Sequence, residues 1–201
     1  MKRNQSKDFS FENFAASYDS GVAAKGSRKF YNLLLSEFRA QPGAVVLDVG
    51  CGTGALLKRL KAKCDIIGYG VDIEENMIGE AKRQCQDMEF SIAECHELPF
   101  DAQTFDAVIA CMAYHHFRDK EGFAIEAARV LKPGGVLYIV DPRFPWIVRK
   151  AMNGILRLIR VVGEFYNPEE IETRFVNAGF IGIGSVVDAY TQVVKLQQKQ
   201  V

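Results

Sequence analysis

Three acidic residues stand where short apolar runs end. Asp48 follows Ala44–Leu47, Asp72 lies in Val71-Asp72-Ile73, and Glu94 lies in Ala93-Glu94-Cys95. After Asp48 comes Gly50-Cys51-Gly52-Thr53-Gly54, with glycine at alternate positions. Glycine accepts positive φ and carries no Cβ, so such a turn bends sharply and lets a ligand touch backbone. Its N–H groups and the helix that follows suit a bound nucleotide. Asp48 sits directly before this turn, where a carboxylate repels pyrophosphate and favours a ligand with positive charge. Asp72 comes about 20 residues after the turn, where a carboxylate accepts hydrogen bonds from ribose hydroxyls. A second group, Tyr114-His115-His116, follows an apolar run. An imidazole there could act as a general base near neutral pH, or could pack and hydrogen-bond beneath a ligand. Adjacent histidines do not easily share one metal, and no Cys, Asp or Glu lies at ligand spacing, so no metal site is expected.

These residues need a scaffold that brings strand ends together. Ala44–Leu47 predicts a strand buried on both faces. From Ala55 the pattern turns helical, with Leu56, Leu57 and Leu60 opposite Lys58, Arg59 and Lys61. Further strands are predicted over Ile66–Ile73, Met88–Ala93, Thr104–Cys111 and Val136–Asp141. Helices are predicted over Lys25–Phe38, Glu75–Gln86 and Glu121–Leu131, the last with Phe123, Ile125, Ala127, Ala128 and Leu131 largely buried. Asn167-Pro168-Glu169-Glu170 opens another helix, which runs to Ala178 and stops at Gly179. Phe180–Val187 and Tyr190–Leu196 read as two strands, and their short connection makes them antiparallel. In open α/β sheets ligands bind beyond the carboxyl ends of the strands, so Tyr114, His115 and His116 are expected at the site.

The glycine spacing also satisfies G-x-G-x-x-A (Gly50, Gly52, Ala55), the dinucleotide fingerprint. The full string Val46-Leu47-Asp48-Val49-Gly50-Cys51-Gly52-Thr53-Gly54, however, resembles the first motif of the class I S-adenosylmethionine (SAM) methyltransferases. Three further stretches resemble that family in order. Phe14-Ala15-Ala16-Ser17-Tyr18-Asp19 is similar to the F-x-x-x-Y-D segment that precedes the core. Ala93-Glu94-Cys95-His96-Glu97-Leu98-Pro99-Phe100 is similar to the G-D-A-x-x-L-P-F segment of the ubiquinone/menaquinone-type small-molecule methyltransferases, with Glu94 in the aspartate position and Ala93 replacing the glycine. Arg129-Val130-Leu131-Lys132-Pro133-Gly134-Gly135 is similar to the family's later turn into a strand. Nothing in a dehydrogenase calls for that last motif.

The resemblance implies an α/β fold: a Rossmann-like seven-stranded sheet, order 3-2-1-4-5-7-6, with strand 7 antiparallel and helices on both faces. It implies one domain over residues 1–201, with an N-terminal lid over 1–24 and a substrate-covering insertion over about 143–166. SAM is the implied cofactor and S-adenosylhomocysteine its product. Asp48, Gly50, Cys51 and Gly52 would hold the methionine end, and Asp72 the ribose. Glu94 with the Cys95 N–H would read adenine, and Ile73, Met77 and Cys111 would complete the wall. Tyr18 would close over the cofactor, although Phe9, Phe11, Phe14 and Tyr18 also fit a helix pinned by aromatic packing. Tyr18, Tyr114, His115 and Arg143 would border the acceptor, with His115, Tyr114 and Tyr18 as the catalytic candidates.

Composition narrows the acceptor. The 201 residues carry 25 basic and 25 acidic side chains. That balance leaves no whole-chain footprint for nucleic acid and favours a small molecule. The polar N-terminus and the lack of a long apolar run predict a cytoplasmic protein. Cys51, Cys64, Cys85, Cys95 and Cys111 read as reduced, mostly buried thiols. A helix is predicted over Trp146–Val162. At about 100° per residue it gathers Arg149, Lys150, Asn153, Arg157 and Arg160 on one side and apolar residues on the other. An ordinary packed helix with a solvated basic face fits this pattern. So does a lid whose basic face meets an anionic membrane surface or an acidic partner. Methyl transfer to a small molecule is the expected activity. A SAM-binding regulatory module without turnover and a nicotinamide oxidoreductase are the rivals.

Overall fold

Val46, Leu47 and Val49 are sealed from solvent because helices cover both faces of their strand. The structure, a computed structural model, describes residues 22–199. Strand and helix alternate through most of it: α1 (Val22–Glu37), β1 (Ala44–Val49), α2 (Ala55–Lys63), β2 (Ile66–Asp72), α3 (Glu75–Gln84), β3 (Glu89–Ile92), β4 (Phe105–Cys111), α4 (Lys120–Val130), β5 (Leu131–Pro142), α5 (Trp146–Leu158), α6 (Pro168–Phe175), β6 (Phe180–Asp188) and β7 (Thr191–Gln198). The seven strands form one sheet in the order β3-β2-β1-β4-β5-β7-β6, as expected. β1 runs parallel to β2 and β4, whereas β7 runs antiparallel to β5 and β6. Residues 1–21 of the expected N-terminal lid, Tyr18 included, lie outside the described residues, and residues 22–24 open α1.

The sheet separates two cores. On one face Leu34 of α1, Leu57 and Leu60 of α2 and Ile78 of α3 pack on Val46, Ile109 and Tyr138. On the other, Phe123 and Ala127 of α4 and Phe175 of α6 pack on Leu47, Val108 and Ile139. Each fully buried side chain of this size stabilises the fold by about 1.5–3 kcal/mol relative to exposure. Ile125 is the exception on α4: it is exposed, because the helix buries Phe123, Ala124 and Ala127 instead.

The loop before the main run of β5 belongs to the sheet. Leu131 pairs with Phe105, and the register then jumps so that Val136 pairs with Ala107. Lys132-Pro133-Gly134-Gly135 takes up the extra length, with Gly134 at φ +77°. An ion pair from Lys132 to Asp106 (2.8 Å) ties this bulge to the neighbouring strand.

Helix α5 departs from the amphipathic expectation. It ends at Leu158 rather than Val162, and Arg160 adopts φ +56°. Its orientation is the reverse of the expected one. Arg149 is buried and pairs with Glu170, and Arg157 pairs with Glu164. The apolar residues Ile147, Ile155 and Leu158 are exposed. Arg149 and Arg157 therefore meet carboxylates of the following segment, Arg149 from a buried position and Arg157 at the surface. The inward turn is held by α6, whose first turn is fixed by a capping box between Asn167 and Glu170.

Candidate functional site

The carboxyl ends of β1, β2 and β3 are bound into one unit. Backbone N–H groups of Gly50 and Cys51 donate to the Val71 carbonyl at 2.8 and 3.0 Å. Ala93 N–H donates to the Asp72 carbonyl at 3.1 Å. The Asp72 carboxylate accepts from Gly52 N–H at 2.8 Å and from Glu74 N–H at 3.0 Å. A carboxylate has about four lone-pair sites, so acceptor capacity remains on both oxygens. The turn itself needs glycine. Gly50, Gly52 and Gly54 have φ of +77°, +53° and +77°. A Cβ on Gly50 would stand 2.5 Å from the Ala113 Cβ, so the end of β4 closes directly over the turn. A Cβ on Gly52 would meet no protein atom within 4 Å.

Around this unit lies a cavity of about 460 Å³. Gly50, Cys51, Gly52, Asp72, Ile73, Met77, Glu94, Cys95 and Cys111 all line it. Nine of the expected cofactor residues thus share one wall. Asp48 does not line the cavity. It is buried behind it, with Oδ1 lacking any hydrogen-bond partner. Burial, and then the nearby charge of Asp72, pushes its carboxyl up to about 8. The same carboxylate helps to hold the Cys51 and Cys111 thiols well above their ordinary range, after burial, which is the largest cause for both. Both thiols therefore stay protonated and are poor nucleophiles. The donor set is a backbone cradle, a ribose-competent carboxylate, an exposed acid at Glu94 and a buried carboxyl that lacks a cation.

The far end of the cavity is lined by Met112, Ala113, His116, Phe117, Arg118 and Val162, together with Ser27 and Tyr31 of α1. Met112 has φ +58°, an uncommon backbone state for a side chain of this size and one found at ligand sites. Tyr114 and His115, expected here, lie beneath this end rather than on it. Tyr114 is fully buried against Phe117, Phe123, Tyr166 and Phe175, and its hydroxyl lacks a partner. His115 is buried, with Nδ1 2.9 Å from Asp141 Oδ1 and its backbone N–H donating to Oδ2 at 2.9 Å. Its ring stacks on Phe165 and lies 3.9 Å from the ring of His116. The short 3₁₀ turn Tyr114–His116 decides this split, since three successive residues on such a turn cannot face the same way. Burial, and then His115, lowers the His116 imidazole below its ordinary range. Arg143 does not line the cavity. Sequence reasoning noted His116 but passed over Phe117 and Arg118, although their place directly after a strand end was the available signal.

Comparison with known proteins bears on the same segment. Residues 47–139 match a family model described as a methyltransferase domain. A demethylmenaquinone methyltransferase of Thermotoga maritima is 30% identical over 139 residues, covering 65% of this chain and 59% of the relative. The mouse protein named "Probable tRNA methyltransferase 9B" is 42% identical over 106 residues, covering 49% of this chain and 22% of the relative. The chain spans about half the length of the curated relatives it matches first. Among solved structures, the Haloferax volcanii complex of the Trm112 methyltransferase activator with a methyltransferase gives a TM-score of 0.81 at 20% identity. That match covers 97% of this chain and 100% of the other. Residues 47–139 are thus similar to a methyltransferase domain, and the sheet order is carried by a fold shared with solved methyltransferase structures.

Proposed function

We propose that the protein transfers the methyl group of SAM to a small organic acceptor. One observation carries this reading: a single cavity joins the glycine turn and Asp72 to an end lined by His116, Phe117 and Arg118. The residues present fit the cofactor. Asp72 accepts from the ribose hydroxyls, and Glu94 with the Cys95 N–H reads the adenine. Gly50 and Gly52 admit the methionine end, with the Asp48 carboxyl behind them. Ile73 and Met77 give apolar contact. Bound SAM supplies an activated methyl group on a sulfonium. The chain's own task is then to orient the acceptor and exclude water.

Where the acceptor carries a hydroxyl, His116 takes its proton on an imidazole nitrogen. Burial and His115 keep that imidazole neutral near pH 7, the state a base needs. His115 acts as a positioning residue, held at both its backbone N–H and its ring by Asp141. Tyr114 supports the turn from below. The relatives named for demethylmenaquinone support a small acceptor, and so does the balanced charge of the chain.

Calorimetric titration with SAM and with NAD, followed by an assay for S-adenosylhomocysteine with phenolic and quinol acceptors, tests the proposal. SAM should bind, NAD should not, and product should form. His116→Gln should lower turnover about 10²-fold or more with SAM affinity unchanged. NAD binding alone overturns the reading. SAM binding without turnover on any acceptor points to the regulatory module. Turnover on tRNA alone overturns the small-molecule part.

A further inference from the structure

Helix α5 turns its apolar side outward. Ile147 is 72% exposed and Leu158 82%, and Ile155 and Ile159 are exposed beside them. Among the described residues nothing covers them. The opposite side is anchored. Arg149 pairs with Glu170. Asn153 holds the Phe165 backbone twice, donating to its carbonyl at 2.9 Å and accepting from its N–H at 3.0 Å. The orientation is thus built into the fold.

The rim of the exposed face is aromatic and basic. Trp146 is exposed at the start of the helix, with the Lys150 ammonium 4.7 Å from its ring centre. From Arg143 to Gly163 the chain carries no Asp or Glu and five Arg and Lys residues. Of these, Arg149 and Arg157 pair with Glu170 and Glu164, and Arg143, Lys150 and Arg160 remain for an anionic surface. An apolar face edged by Trp and cations is the composition of a helix that lies in the plane of a membrane interface. A run this long without an acid is complementary to anionic headgroups.

We infer that α5 docks the protein on an anionic lipid bilayer. Ile147, Ile155 and Leu158 enter the acyl boundary, and Trp146 and Lys150 sit at headgroup level. The docking does not depend on methyl transfer. If the proposed function holds, it gives an apolar acceptor a route from lipid, because Val162 of the same exposed run lines the cavity.

Trp146 is the only tryptophan of the chain, so its emission reports this helix alone. Vesicles of phosphatidylglycerol should shift that emission to the blue, and brominated acyl chains should quench it. Partition into phosphatidylcholine alone should be weaker by about tenfold or more. Ile147→Glu with Leu158→Glu should reduce partition by a similar factor, leaving the circular dichroism spectrum and the unfolding midpoint unchanged. No spectral change with anionic vesicles overturns the inference. Equal partition into both lipids also overturns it, as does partition indifferent to the two substitutions. A wild-type dimer that these substitutions convert to monomer, without vesicle binding, assigns the face to a second copy of the chain. Emission already blue-shifted in buffer and insensitive to vesicles assigns it to residues 1–21.

Discussion

Asp72 binds its own chain and, in the proposed function, also the cofactor's ribose. Its oxygens already hold the N–H groups of Gly52 and Glu74. Asp72→Ala should therefore weaken SAM binding by about 1.5–3 kcal/mol, the worth of hydrogen bonds to a charged group. Unchanged affinity by calorimetry removes it from the site. The glycines of the turn separate folding from binding. Gly50→Ala forces a methyl against Ala113 at positive φ. It should lower stability by about 2–4 kcal/mol, combining overpacking with left-handed strain. Gly52→Ala meets no protein atom, so only the strain of about 1–2 kcal/mol remains. Its added methyl stands at the cavity wall, so SAM affinity should fall much further than stability does. Urea melts of both variants, with and without SAM, check the contrast. Equal losses of stability would contradict it. The acids and glycines were readable in the sequence because their chemistry is set by residue type. The placing of His116 rather than His115 on the cavity was not readable, because a 3₁₀ turn and a buried Asp141 decide which imidazole looks out.

At the scale of elements, periodicity reported that α5 has two sides but not which one faces the protein. That choice is made by residues further along the chain. Glu170 draws Arg149 inward, Glu164 pairs with Arg157 at the surface, and the Asn167 cap fixes Glu170 in place. The cap is an isolable contribution. The Asn167 side chain accepts from Glu170 N–H at 2.8 Å, and Glu170 accepts from Asn167 N–H at 3.0 Å. Asn167→Ala should destabilise the protein by about 1 kcal/mol, the usual cost of a lost N-cap. Because Glu170 also holds Arg149, the same change should loosen α5 and raise hydrogen exchange across Arg149–Leu158. Exchange confined to α6 would show that the two helices are not coupled. The β-strands were easier to read. Their runs are short, apolar and bounded by turn residues, and each falls within a few residues of its observed limits. The extra register of β5 was not, since a bulge made by Lys132–Gly135 depends on the partner strand.

For the whole molecule, the sheet order brings Asp72 and Glu94 to one cavity with Asp48 buried behind it, and that burial has a thermodynamic consequence. The Asp48 carboxyl titrates at about 8 in the folded chain, because it is buried and lies near Asp72. In the unfolded chain it titrates at about 3.9. Between these values the folded state holds one more proton than the unfolded state, so stability falls as pH rises. Asp141 adds to the slope, since burial raises it more than His115 lowers it. The ligand-free protein should therefore melt at a higher temperature at about pH 5.5 than at about pH 8, and Asp48→Asn should flatten the difference. In the proposed function, bound SAM brings positive charge toward the same carboxyl and favours its ionised form. Saturation at about 100 times Kd stabilises by about 2.7 kcal/mol. In a chain of this size each kcal/mol moves the melting temperature by about 2–4 °C. At one fixed SAM concentration the shift should be larger at about pH 8 than at about pH 6, because less proton release opposes binding there. Scanning calorimetry at both values checks this. A shift equal at the two pH values, in wild type and in Asp48→Asn alike, would detach the buried carboxyl from the cofactor's charge.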